Sequence, residues 1–223
     1  GLAGGTVATG PQTVLITGSS GAAWTARSSN PVFLVSPESG TGSGSIVISV
    51  RLPLVRSGGE SESGTVSILR DDGVAVPPVR VGLAVFEPGK SAPPIGYLDA
   101  PPGDVDAATG PVFISGWALD DIEVRRILLL RDRAGGERGD GPVLVGEIPL
   151  IAGTRPDIEK AYAGVPFNGR AGWGAMLRPE AFPRGAGKLT FHVDVEDAEG
   201  HRVRLGTRSI RMGSRLHFPL LRR

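Results

Sequence analysis

Cysteine is absent from the 223 residues, and disulfides, thiolate metal sites and cysteine nucleophiles are excluded with it. Histidine is almost as scarce: His192, His201 and His217 are the only three, and their spacing offers no close metal-binding pair. Aromatic residues make up 5% of the chain, with three Trp and two Tyr, fewer than a glycan groove normally uses. No window approaches the roughly 18 consecutive apolar residues of a membrane helix, the glycines have no three-residue period, and heptads are missing. The chain is therefore expected to have no membrane span, collagen segment or coiled coil. Lysine is rare, 3 against 21 Arg, which we read mainly as genome base composition, with heat adaptation a weaker second explanation. A formal net charge of +1 leaves no bulk phosphate-tracking surface, so no nucleic-acid partner is expected.

Catalytic patterns are missing too. Gly40-Thr41-Gly42-Ser43-Gly44 has glycine spacing without the Gly-x-Ser-x-Gly register of a nucleophile elbow, and it lies between β segments rather than before a helix. A small sandwich offers no evident cleft for paired glycosidase carboxylates. The chain reads as not an enzyme.

What is abundant is turn chemistry. Glycine at 34 and proline at 19 together make up about 24% of the chain. Between these residues, short alternations of apolar and polar residues recur, while helical stripes at i, i+3, i+4, i+7 do not. Strands are expected at 12–17, 23–27, 32–35, 45–50, 65–69 and 79–86, and after a break at 95–98, 111–117, 124–131, 143–149, 172–177, 188–195 and 202–212. The one helical suggestion is Arg155 to Tyr162, with Pro156 near its first turn. Glu87-Pro88-Gly89-Lys90-Ser91-Ala92-Pro93-Pro94 stops any ladder. These features divide the chain into a flexible segment 1–10, a β domain 11–87, a linker 88–94, a second β domain 95–213 and a tail 214–223, with no internal repeat relating the halves.

The run Trp24-Thr25-Ala26-Arg27 through Val32-Phe33-Leu34-Val35-Ser36-Pro37, the Gly-rich turn 40–44 and the alternating strand 45–50 resemble the BACON family, over about residues 10–87. That resemblance implies an Ig-like β-sandwich of bacterial secreted and surface proteins, suspected of glycan or mucin contact. Val32-Phe33, where that family often shows a bulkier aromatic, and Pro53 depart from the pattern. The second half is similar to an Ig-like module common in large bacterial exported proteins. The resemblance is carried in order by 94–101, Ile114-Ser115-Gly116-Trp117-Ala118-Leu119-Asp120-Asp121, Arg155-Pro156-Asp157-Ile158, Ala171-Gly172-Trp173-Gly174 and 195–200. It implies a spacer, stalk, assembly or adhesion unit. The expected fold class is all-β, two tandem Ig-like antiparallel β-sandwiches joined by a Pro/Gly-rich linker.

The ends supply the candidate docking residues. Leu216, Phe218, Leu220 and Leu221 lie beyond a domain that already has enough strands to close, and burying each is worth on the order of 1.5–3 kcal/mol. The tail is expected to dock on its own domain, on the interdomain groove or on the next copy. Thr6 and Val7, in a Gly-rich start, are candidates to add a strand to a neighbour's open sheet edge. Residues 200–223 carry seven Arg and no acid, against 17 acids and 11 bases over 91–199, so this end is either a solvated strand and tail or a contact for an acidic partner surface.

Trp24 and Trp117 read as core residues, with sugar stacking the alternative. Trp173, flanked by glycines, is a core residue, loop anchor or glycan contact, and Tyr97 is a second candidate glycan contact. Asp120, Asp121, Asp157, Asp194, Glu196 and Asp197 would suit Ca²⁺ if they met at one end of the second sandwich, but they lack the spaced Asp-x-Asp-x-Asp-Gly loop. No cofactor is therefore expected, and turn capping or pairing with Arg is the expected use. The chain starts at Gly1 without a charged and apolar leader, which we read as a processed, exported protein, extracellular or on the cell surface. Two functions remain open: a non-catalytic structural protein acting as stalk, adhesion unit or head-to-tail filament subunit, and a pair of carbohydrate-binding modules.

Overall fold

The computed structural model describes residues 1–5, 7–18, 21–51, 61–183 and 186–213. The chain divides into two compact units, Gly1–Ser91 and Ala92–Arg223, each with its own antiparallel sheets and its own core. The protein is all-β, each unit built from two sheets. Among the described residues no helix is long and apolar enough to cross a membrane.

In the first unit, β1 (Gln12–Ile16), β5 (Gly44–Val50) and β3 (Phe33–Ser36) form one sheet in the order β1-β5-β3. The other runs β4-β2-β6-β7, from β4 (Ser39–Thr41), β2 (Ala23–Ser28), β6 (Glu62–Arg70) and β7 (Val79–Leu83). Side chains alternate across a strand, so Ile46 and Ile48 of β5 go inside while Ser45, Val47 and Ser49 face out. Ile16, Trp24, Ala26, Phe33, Val66, Ile68, Leu83 and Val85 complete the buried cluster with them.

Strand β4 falls in a stretch that reads from sequence as a turn, because Ser-Gly-Thr carries no apolar period. Its Gly40 stands opposite Trp24 across the ladder, and a methyl group there would lie 2.3 Å from the indole Cζ2. Only a glycine lets the ring lie flat against the neighbouring backbone.

The first residues are tied down rather than free. Leu2 bridges Phe86 in parallel, Phe86 N–H donates to Gly1 O at 2.9 Å and Ala3 N–H to Phe86 O at 2.8 Å. The side chains of Ala3 and Val7 pack against the core of their own unit. The physical reason is that an apolar side chain within reach of its own half-open core buries there first. Thr6, and the tail candidates Leu216, Phe218, Leu220 and Leu221, lie outside the described residues.

The second unit pairs a four-stranded with a five-stranded sheet. The first has the order β13-β14-β10-β8, from β8 (Ile95–Ala100), β10 (Val112–Leu119), β13 (Leu150–Ile151) and β14 (Gly172–Leu177). The second has the order β12-β11-β15-β16-β9, from β9 (Val105–Ala108), β11 (Val124–Arg131), β12 (Val143–Ile148), β15 (Lys188–Asp197) and β16 (Arg202–Met212). Strand β9 pairs in parallel with β16, and Asp104 locks the pair by accepting from Ser209 N–H at 2.8 Å. Its four residues, Val-Asp-Ala-Ala, are too few to show an alternation, which is why periodicity does not reveal it. Trp173, Phe191, Ile127, Val195 and Ile210 lie at the centre of the core, each at most 3% exposed.

The long excursion between β13 and β14 carries helix α1 (Pro156–Ala161), with proline in its first turn. Ile158 of that helix joins Leu119 and Ala171 in a small separate cluster, with Trp117 and Tyr162 packed against it. The excursion thus roofs part of the outer face of the four-stranded sheet.

Candidate functional site

Two surfaces and one carboxylate end stand out. The first surface is in the first unit, where β1 and β7 are both sheet edges. Between them a groove of about 440 Å³ reaches down to the core and is lined chiefly by apolar side chains, among them Val14, Phe33, Ile48, Val79, Val81 and Leu83. Among the described residues no strand pairs with the outer side of either edge, so a row of backbone N–H and C=O groups borders an open apolar floor.

The second surface is the outer face of the four-stranded sheet. Cross-strand register places Trp117 opposite Tyr97 on one side and Gly172 on the other, Ser115 opposite Gly174, and Phe113 opposite Met176. Alternation then gives this face Tyr97, Phe113 and Met176, all more than half exposed, with Ile95 and Ile151 at its margins. Tyr162 stacks on Trp117 at 5.5 Å between centroids, 38° apart, so the indole is half covered.

Trp173 points the other way, and its candidacy for glycan contact is corrected. It is 3% exposed in the sandwich core, its indole lying over Gly116 of the neighbouring strand. The flanking glycines that suggested an exposed ring serve the backbone: Gly172 leaves room for Thr154 and Arg155, and Gly174 for Phe113. Trp24 is likewise buried, at 4%. Tyr97 remains on the surface, 56% exposed.

The six candidate carboxylates are each already engaged. Asp194 accepts from Arg202 Nε at 3.0 Å and Arg204 Nε at 2.9 Å, and Glu196 accepts two bonds of 2.9 Å from Arg126 Nη2. Asp157 takes Arg155 Nε at 2.9 Å and Nη2 at 2.7 Å, and that hydrogen-bonded guanidinium holds its carboxyl down at about 2. Asp121 accepts from Ala92 N–H, and Asp120 Oδ2 accepts from Ile122 and Glu123 N–H, both at 2.8 Å. Burial pushes the Asp120 carboxyl up against those two bonds. Among the described residues no group of three or more His, Cys, Asp or Glu side chains is placed to hold a metal ion.

Asp197, 1% exposed, closes the β15–β16 hairpin. Its Oδ1 accepts from Glu199 and His201 N–H at 2.9 and 2.8 Å, and its Oδ2 meets His201 Nδ1 at 2.8 Å. This hydrogen bond raises the imidazole pKa above its ordinary 6.5, against a smaller opposing effect of burial. A raised folded-state value means that the protonated pair stabilises fully below about pH 6.5 and that its contribution is lost as pH rises through the folded value. Thermal melts should therefore show a Tm that declines as pH rises above about 6.5, a decline that His201→Asn flattens. The same slope in the variant would remove the pair as its cause.

Sequence reasoning missed Phe113, Arg155 and Asp99 as surface partners. Phe113 was readable as the outward residue of an alternating strand, but the Asp99 to Arg155 pairing spans 56 positions and had no local signal.

No family model matches the chain, and no curated protein does. Among solved structures it is similar to the fibronectin(III)-like modules of Clostridium thermocellum CbhA, at 12% identity over 100% of this chain and 93% of that one, with a TM-score of 0.37. It is similar also to a chimeric titin Z1Z2 tandem, at 13% identity over 92% and 93%, TM-score 0.30. A third is the Dpr2 Ig1-Ig2 fragment in complex with DIP-Theta, at 6% identity over 95% and 92%, TM-score 0.30. With every score below 0.5, the sandwich assignment rests on the sheets and cores of the chain itself.

Proposed function

We propose that this chain is a non-catalytic building block of an exported bacterial structure, a stalk, adhesion unit or filament subunit, that joins its neighbours through sheet edges. In this reading the first unit is a BACON-like sandwich and the second an Ig-like module of exported proteins, and the protein works outside the cell or on its surface. The observation that carries the proposal is the groove between β1 and β7, because an open apolar floor bordered by two unpaired edges suits one particular guest. That guest is an extended segment with apolar side chains at alternate positions, whose backbone pairs with an edge while its side chains fill the floor.

The tail carries this pattern in its sequence, with Leu216, Phe218 and Leu220 at every second position. A five-residue strand spans about 17 Å, and β1 and β7 are each five residues long. Seated in the first unit of the next copy, the tail makes a head-to-tail, heterologous contact, which propagates rather than closing a dimer.

Light scattering and negative-stain microscopy of the full chain test this. Polymers or fibres are expected, and deletion of 214–223 should leave folded monomers of 23.1 kDa or less. A full chain that is monomeric at high concentration, or a truncated one that assembles as before, would overturn it.

The alternative, a pair of carbohydrate-binding modules, loses Trp24 and Trp173 as platforms because both are buried. A glycan contact is favoured instead by the exposed aromatic face of the four-stranded sheet in the second unit.

A further inference from the structure

On the outer face of the four-stranded sheet a trough of about 340 Å³ runs across the strands, in the size range of small-ligand sites. Its floor is made of the smallest residues available. Gly174 and Ser115 stand opposite each other in the ladder, and a methyl group on Gly174 would sit 3.1 Å from Phe113 Cζ and 3.4 Å from Ser115 Cβ.

The two walls are unlike. One is Phe113, 53% exposed. The other is polar: Arg155 binds Asp99 through Nη1 and Asp157 through Nε and Nη2, and Thr154 Oγ1 donates to Ile151 O at 2.9 Å. Arg155 is fixed from both sides, while the carboxylates keep outward acceptor capacity, with Asp99 41% and Asp157 62% exposed as side chains.

We infer that this trough is a binding site for a neutral pyranose unit of a glycan, held between the Phe113 ring and the Asp99–Arg155 pair, with Asp157 fixing the guanidinium from behind. A pyranose is amphipathic in the same sense as the trough: its axial C–H face suits an aromatic ring, and its equatorial hydroxyls donate to carboxylates and accept from a fixed guanidinium. A wholly apolar guest would strip water from the Asp99 carboxylate without replacing its hydrogen bonds. The charge decides against an anionic sugar, since one cation stands with two carboxylates and leaves the array net negative. Tyr97, two residues from Asp99 on the same strand and 56% exposed, continues the face for a longer chain. The site does not depend on the assembly reading.

The test is a titration of the isotope-labelled full chain with neutral β-1,4-linked gluco-, manno- and galacto-oligosaccharides, followed by amide NMR. At least one series should shift the amides of Ser115, Gly174 and Thr154 saturably below about 10 mM. Phe113→Ala should weaken that binding on the order of tenfold, and Asp99→Asn should weaken it too, with Tm essentially unchanged for the exposed Phe113. The inference is overturned if no series moves these amides, if both variants bind as the parent does, or if sialylated or sulfated analogues bind more tightly than neutral ones. Solution spectra read these amides on a monomer and solid-state spectra of the same labelled chain read them on a polymer, so the outcomes are separable from failure of the assembly proposal.

Discussion

Replacing Trp24 by Ala is expected to destabilise the first unit by about 3–5 kcal/mol, the range for deleting a buried indole. Trp24 is 4% exposed, packs in the cluster that contains Ala26, Phe33, Ile46 and Val66, and lies along Gly40 and Gly44 of neighbouring strands. Its Nε1–H donates to Gly42 O at 3.2 Å, so the substitution removes a hydrogen bond as well as the packing. Glycines on both flanks have no side chains that can lean into the space, and the cavity persists. Against a total of about 5–15 kcal/mol for a domain, such a loss populates the unfolded form at modest temperature. Denaturant titration of the variant measures this directly. Trp24→Phe should fall between, keeping ring burial but leaving the Gly42 carbonyl without its donor. A Trp24→Ala cost under about 1 kcal/mol would mean that the ring is not a core element.

Gly116→Ala should be at least as damaging to the second unit as a typical overpacking change, about 3 kcal/mol or more, because part of what it meets cannot move cheaply. The added Cβ would stand 2.0 Å from the Tyr97 carbonyl oxygen and 2.4 Å from Trp173 Cζ2. Relieving the first contact opens the β8–β10 ladder, beside its register shift at Ser115 and Gly116. Relieving the second pushes an indole out of a close-packed core. Gly146→Ala is the control, a strand glycine whose added Cβ meets nothing within 4 Å, and its effect should stay within about 0.5 kcal/mol. Thermal melts of the two variants settle the comparison, and similar behaviour would refute the packing account of Gly116.

The two cases share a geometry. Trp24 is paired across a ladder with Gly40, and Trp173 with Gly116, so each unit lays its core indole over a glycine of the next strand. The sequence shows the tryptophans and the glycines but not their pairing, since register is set between strands up to 57 residues apart in the chain. The same distance hides the Asp99–Arg155–Asp157 array and the open side between β1 and β7. Short strands such as β4 and β9 are also invisible locally, because Ser-Gly-Thr of β4 has no apolar face and the four residues of β9 are too few to set a period.

By itself the sequence determined that the protein is all-β: apolar alternation with period two, broken by Gly and Pro, allows little else, and the missing Cys and paucity of His remove most site chemistry. It also placed the strand at 45–50, whose side-chain period leaves only two faces to choose from. Only the tertiary structure decided which face of each sheet meets the other. That choice buried Trp173 and left Tyr97 and Phe113 outside, turned Val7 toward its own core, and set a trough with one aromatic and one ionic wall on the surface. The reason is that alternation fixes what shares a face, whereas packing, a property of two sheets at once, fixes which face is hidden.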